Sequence, residues 1–200
     1  MYVSNLLKYQ QEGNGVILRW DKLFLFAVGK VDYWDKTKRP WIITYTNTGG
    51  HPEIGETREE ATRREVKEEL GCNVELLASN QTLYCDLEDF HLTRYTLDDV
   101  ITPILIYNSQ IMKLSVCVYL ARIFSSPAPQ GEVPALLLLP PNLLEGGQLG
   151  ELLKQGSMIK EQNKDYVPRN AIMKPFGSAK ILCMNWEMFL NISSFKSFIS

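Results

Sequence analysis

"NTGGHPEIGETREEATRREVKEELGCNV", residues 47–74, sets the frame for this 200-residue chain. Two adjacent glycines precede seven glutamates and four arginine or lysine residues. From Thr57 to Leu70 no glycine or proline interrupts a run of helix formers, and Gly71 stands where such a helix stops. Thr57 and Glu60 have the spacing of a capping box, in which a hydroxyl and a carboxylate satisfy two N–H groups of the first turn. Glutamates in that turn also favour the positive end of the helix dipole. The spacing predicts a helix from Thr57 to Leu70.

On that helix Glu65, Glu68 and Glu69 stand at i, i+3 and i+4 and project from one face. Ala61 and Cys72 share the face, and Val66 and Leu70, just beside it, are expected in the core. Arg64 lies four residues from both Glu60 and Glu68, a spacing suited to ion pairs. Three carboxylates within one turn repel, so their pKa values must rise or a cation must join them. Hard oxygen donors at this density suit Mg²⁺ or Mn²⁺ together with phosphate oxygens. A solvated helix face accounts for Glu59, Glu60, Arg63 and Lys67. It does not account for like charges beside Val66 and Leu70, or for Gly49-Gly50 in front, where backbone can approach a ligand closely.

Gly50, five residues, Glu56, seven residues, then "REVKEELGC" resembles the Nudix box, a loop–helix–loop signature over residues 50–72. The family hydrolyses nucleoside diphosphates linked to another moiety. Gly50, Glu56, Arg64, Glu65, Glu68, Glu69 and Gly71 match its fixed positions. Cys72 replaces the last aliphatic residue and Thr48 stands where many members carry proline. The resemblance implies an α/β/α sandwich around a central mixed sheet, with the box helix on one face. It implies Glu65, Glu69 and Glu68 as metal ligands with the Gly49 carbonyl, and Mg²⁺ or Mn²⁺ as cofactor. Arg64 and Glu56 would then hold helix and loop in place, and Gly50 and Gly71 would shape the loop and the helix end.

Outside the box, "GVILRW", "LFLFAVGK", "WIITYT", "NVELLAS", "QTLYCDL", "DVITPILIY", "KLSVCVYLARIF" and "ALLLLP" have strand composition, and "NLLEGGQLGELLKQG" reads as helical in its second half. The chain divides into a Nudix domain at 1–156 and an extension at 157–200 packed on it. The apolar "ILCMNWEMFLNISSFKSF" is read as an added helix, with a homodimer contact or a lid as alternatives. The net charge of -2 gives no reason to expect DNA or an anionic membrane. The N-terminus lacks a secretory pattern, and four scattered cysteines read as reduced thiols, so a cytoplasmic protein is expected.

The substrate is expected to be a small nucleotide-type molecule. Glu68 is a candidate general base, as is Glu132 in "PQGEVP" or the run Asp86, Glu88 and Asp89. Within "VDYWDKTKRPW", Tyr33, Trp34 and Trp41 offer stacking surfaces, and Lys36, Lys38 and Arg39 offer charge for phosphates. His51, inside the box loop, is a further candidate contact. A non-hydrolytic reading on the same fold, a diphosphate isomerase or a nucleotide-sensing domain, is the alternative.

Overall fold

The apolar runs on either side of Asp21-Lys22 form a hairpin, β1 (Gln11–Trp20) against β2 (Leu23–Val28), with Leu18 opposite Leu25. In this computed structural model, which describes residues 1–162 and 167–200, the next elements are β3 (Ile42–Thr46), α1 (Arg58–Leu70), β4 (Val74–Leu77), β5 (Thr82–Asp86), β6 (Thr93–Tyr95), β7 (Leu105–Ser109), β8 (Leu114–Ile123) and β9 (Ala135–Leu139). They are followed by β10 (Gly147–Gln148), α2 (Leu149–Lys154), β11 (Met158–Glu161) and β12 (Ile172–Pro175). Three short helices end the chain: α3 (Gly177–Met184), α4 (Trp186–Leu190) and α5 (Ser193–Ile199).

The strands join one mixed sheet in the order β10-β12-β3-β2-β1-β8-β7-β5-β6, with β9 linking β2 to β11 and β4 paired to β8. The pairs β1/β8, β3/β12 and β5/β7 are parallel, the rest antiparallel. Alternate residues of β1 face opposite layers, as the two-residue strand period requires. Val16 and Leu18 meet Val66 and Leu70 of α1 in one core. Ile17 joins Ile181 and Leu182 of α3, together with Phe189 and Phe195, in the other. Helices therefore cover both faces, and the architecture is the expected α/β sandwich with a C-terminal segment added.

That segment has no legible period because it is not one helix. Strand β12 lies parallel to β3, with Met173 opposite Ile43, and β11 pairs with β9. The helices after it pile aromatic rings on β2: Phe24 stands 5.6 Å from Trp186 and 6.3 Å from Phe195, centroid to centroid. Apolar burial of this kind is the main favourable term for three helices too short to be stable alone. The division at 156/157 stays a proposal, since strands from both sides of it share the sheet; residues 163–166 of the extension lie outside the described residues. No helix among the described residues is long and apolar enough to cross a membrane.

Candidate functional site

Helix α1 forms where its caps say it should. Thr57 accepts from the Glu60 N–H and Glu60 reaches back to the Thr57 N–H, while Gly71 closes the helix at φ 68, a left-handed conformation that favours glycine. Ala61, Val66, Leu70 and Cys72 are fully or almost fully buried, which fixes the rotation of the helix and turns its glutamates toward the box loop. That loop is stitched to β1: the Asn14 N–H donates to the Gly50 carbonyl (2.8 Å) and the Val16 N–H to the Thr48 carbonyl (3.0 Å). The Gly49 carbonyl between them stays outside this ladder, and the Gly49 N–H donates to Glu69 Oε2 (3.3 Å). At Gly50 an added Cβ would stand 2.2 Å from Glu65 Oε1, so any side chain there would displace that carboxylate.

Arg64 organises this surface. Its Nη1 donates to Glu65 Oε1 (2.9 Å) and Glu68 Oε2 (3.1 Å), and its Nε and Nη2 bind both oxygens of Glu56 at 2.9 and 3.1 Å. Nη2 also donates to the His51 carbonyl (3.0 Å), tying helix to loop. The pairing with Glu68 matches the expected helix spacing. The pairing with Glu60 does not form, because Glu60 is committed to the cap. The Arg64 guanidinium holds the Glu56 carboxyl below its usual range. Glu69 goes the other way: burial first, then the charge of Glu65, pushes it up to about 7, against the Gly49 N–H and Lys30. Among the described residues no three His, Cys, Asp or Glu side chains are gathered closely enough to hold a metal as they stand. Arg64 occupies one oxygen each of Glu65 and Glu68.

Two clefts meet at this point. One, of about 550 Å³, is lined by Gly49, Gly50, His51, Arg64, Glu65, Glu68 and Glu69, together with Lys30, Glu53, Gly131 and Glu132. The other, of about 540 Å³, is apolar: Ala27, Val28, Tyr33, Val133 and Phe176 line it, and it shares Lys30, Gly49, Glu69 and Glu132 with the first. Glu132 arrives because its loop docks on the end of α1, where Ala128 and Gln130 N–H groups cap the Leu70 and Glu69 carbonyls at 3.1 and 2.9 Å. Glu132 is largely exposed and forms an ion pair with Lys30.

The structure thus gathers Glu65, Glu68, Glu69, Arg64, Gly49, Gly50, His51 and Glu132 around one cleft, with Glu56 behind them. Trp34 and Arg39 line neither cleft. The Trp34 ring is buried, and its Nε1 donates to the Gly29 carbonyl (2.7 Å), so it packs as core. Arg39 lies over the Trp41 ring and donates to the Lys36 carbonyl (3.0 Å). Asp86 pairs with Lys8, and Glu88 accepts from Ser109 Oγ and the Ile111 N–H, which engages both away from the cleft. Sequence reading missed Lys30 and Phe176. Lys30 only follows the end of β2, and Phe176 reaches the cleft through a parallel pairing of β12 with β3 that nothing local announces.

A family model described as the NUDIX domain matches residues 13–105. No curated protein matches the chain. Solved structures similar to it include a NUDIX-family hydrolase from Clostridium perfringens, at 22% identity and TM-score 0.46 over 68% of this chain and 85% of that one. Another is an ADP-ribose pyrophosphatase from Streptococcus suis, at 14% identity and TM-score 0.42 over 66% and 75% of the two chains.

Proposed function

We propose that this chain, whose residues 13–105 match the NUDIX domain, is a Nudix hydrolase that cleaves the diphosphate linkage of a nucleoside diphosphate joined to another moiety, with Mg²⁺ or Mn²⁺ as cofactor. The observation that carries this reading is a carboxylate cleft opening directly into an apolar one that displays two exposed aromatic rings, Tyr33 and Phe176. Phosphates and a base need those two surfaces side by side.

The donors present fit a hard divalent cation. Glu65, Glu68 and Glu69 supply carboxylate oxygens, Gly49 a carbonyl outside the strand ladder, and burial with the charge of Glu65 outweighs Lys30 at Glu69. These residues would hold the ion in exchange for the hydrogen bonds they now accept from Arg64 and the Gly49 N–H. When bound, such a cation neutralises the diphosphate and acidifies a water. Lys30, at the junction of the clefts, adds positive charge for the phosphates. Tyr33 and Phe176 stack the base. Glu68 or Glu132 takes the proton from the attacking water, both being exposed carboxylates in the same cleft. Arg64 is a positioning residue that keeps Glu65 and the His51 loop in register.

An isomerase on this fold would need a cysteine in the pocket, and none lines either cleft. The test is a product assay across nucleoside triphosphates, ADP-ribose, NADH, dinucleoside polyphosphates, nucleotide sugars and capped RNA. A nucleoside monophosphate or inorganic phosphate is expected from at least one. Tight nucleotide binding with no product from any of them, in Mg²⁺ or Mn²⁺, would turn the reading into a sensing domain.

A further inference from the structure

Gly49 also borders a third, smaller hollow of about 160 Å³ that the reading above leaves unused. Its walls include Gly15 of β1, Asn47 after β3, Tyr107 of β7, Leu114 and Val116 of β8, and Ser178 of α3. No Lys, Arg, Asp or Glu lines it. The space equals about five water volumes, which suits one sugar ring better than a base with its ribose.

Asn47 is 5% exposed, and its Nδ2 donates to Ser178 Oγ (3.0 Å). Its Oδ1, buried, accepts from no group of the protein. An unsatisfied buried amide oxygen is costly, and native structures keep few of them. Helix α3 starts at the same place without a side-chain cap, and of its first turn the Ala179 N–H is taken up by the Phe176 carbonyl (3.1 Å). The Tyr107 hydroxyl lies at that helix end, 3.5 Å from where a Cβ on Gly177 would stand. Beside them Gly15 contributes bare strand, where an added Cβ would meet Ser178 Oγ only at 3.8 Å.

A diphosphate is a poor match for this lining. It carries no donor for Asn47 Oδ1 and would find no cationic side chain. A hydroxyl group both donates and accepts, so it satisfies the Asn47 amide in either orientation about its Ser178 bond. Leu114 and Val116 supply apolar contact for the C–H face of a ring. Resting on the hydrolase reading, we propose that this hollow binds the hydroxyl-bearing sugar of a nucleoside diphosphate sugar. Base, diphosphate and sugar would then occupy the three cavities that share Gly49.

The test compares ADP-ribose with ADP and UDP-glucose with UDP, by calorimetry in Ca²⁺, on wild type, Tyr107→Phe and Gly15→Ala. Tyr107→Phe keeps the packed ring and removes one hydroxyl. Gly15→Ala narrows the hollow by one methyl without a clash. One hydrogen bond corresponds to about three- to tenfold in affinity. In wild type at least one diphosphate sugar should bind about tenfold tighter than its sugar-free counterpart. Each variant should remove most of that ratio while leaving the diphosphate alone unchanged. Equal affinities in the wild type, or variants that weaken both members of a pair alike, would overturn the proposal. A sugar-dependent ratio that persists in a protein with no turnover would leave the hollow in place and count against the hydrolase reading alone.

Discussion

Glu65 and Lys67 lie two positions apart on α1 and differ in what they face. Glu65 is half-buried against Gly50 and Arg64, while Lys67 is exposed and reaches only the Gly71 carbonyl at 3.5 Å. If the helix were a salt-bridged surface, both alanine variants would cost a few tenths of a kcal/mol and leave activity alone. The cleft reading predicts that Lys67→Ala turns over like wild type and Glu65→Ala loses kcat on the order of 100-fold or more. Equal rates for the two variants, on a substrate the wild type cleaves, would return the helix to a structural role. Glu69 makes a separate prediction about pH. Its folded pKa of about 7 exceeds the ordinary 4.5, so the folded state binds more protons between those values. Stability without metal should therefore fall as pH rises through that window, by on the order of 3 kcal/mol. Glu69→Gln should flatten that fall in thermal melts from pH 5 to pH 8, and a slope identical to wild type would mean Glu69 ionises freely. At this scale the sequence was legible where a residue's neighbours are local. The spacing of Glu65, Glu68 and Glu69 is a property of one helix, whereas the burial of Trp34 depends on strands far along the chain.

Within the loop–helix element, the two glycines carry different loads. A methyl at Gly50 meets only the end of the Glu65 side chain, at 2.2 Å, while one at Gly49 meets the Asn14 carbonyl backbone at 2.0 Å. Gly50→Ala should keep its melting temperature, because a side-chain terminus can swing aside, and lose activity with the displaced carboxylate. Gly49→Ala should instead lose about 1–3 kcal/mol of stability, since backbone must move. Melts and rates on the two variants check this, and a Gly50→Ala enzyme with wild-type kcat would remove Glu65 from the site. The helix ends were readable because capping box and glycine stop act within a few residues. The placing of Glu132 was half-readable: "PQGEVP" marked a loop, but its docking on the last carbonyls of α1 is a tertiary event. The terminal strands and helices were unreadable for the same reason. Strand β12 is defined by β3, and α3 to α5 are held by rings packed on Phe24 rather than by their own pattern.

Across the whole molecule, one glycine loop stands where three cavities converge, and the two layers of helices hold it from opposite sides. Helix α1 brings the carboxylates, and the C-terminal segment brings Phe176 and Ser178. Mutual repulsion of Glu65, Glu68 and Glu69 is held down by Arg64, and a divalent ion added to the folded chain should relieve it further. The account stands on these carboxylates being a metal site for diphosphate hydrolysis. The most direct measurement is release of nucleoside monophosphate from the best substrate in Mg²⁺, then in excess EDTA, then after Mg²⁺ is restored. Turnover that stops in EDTA and returns with Mg²⁺ is the predicted result; turnover that continues unchanged in excess EDTA would contradict it.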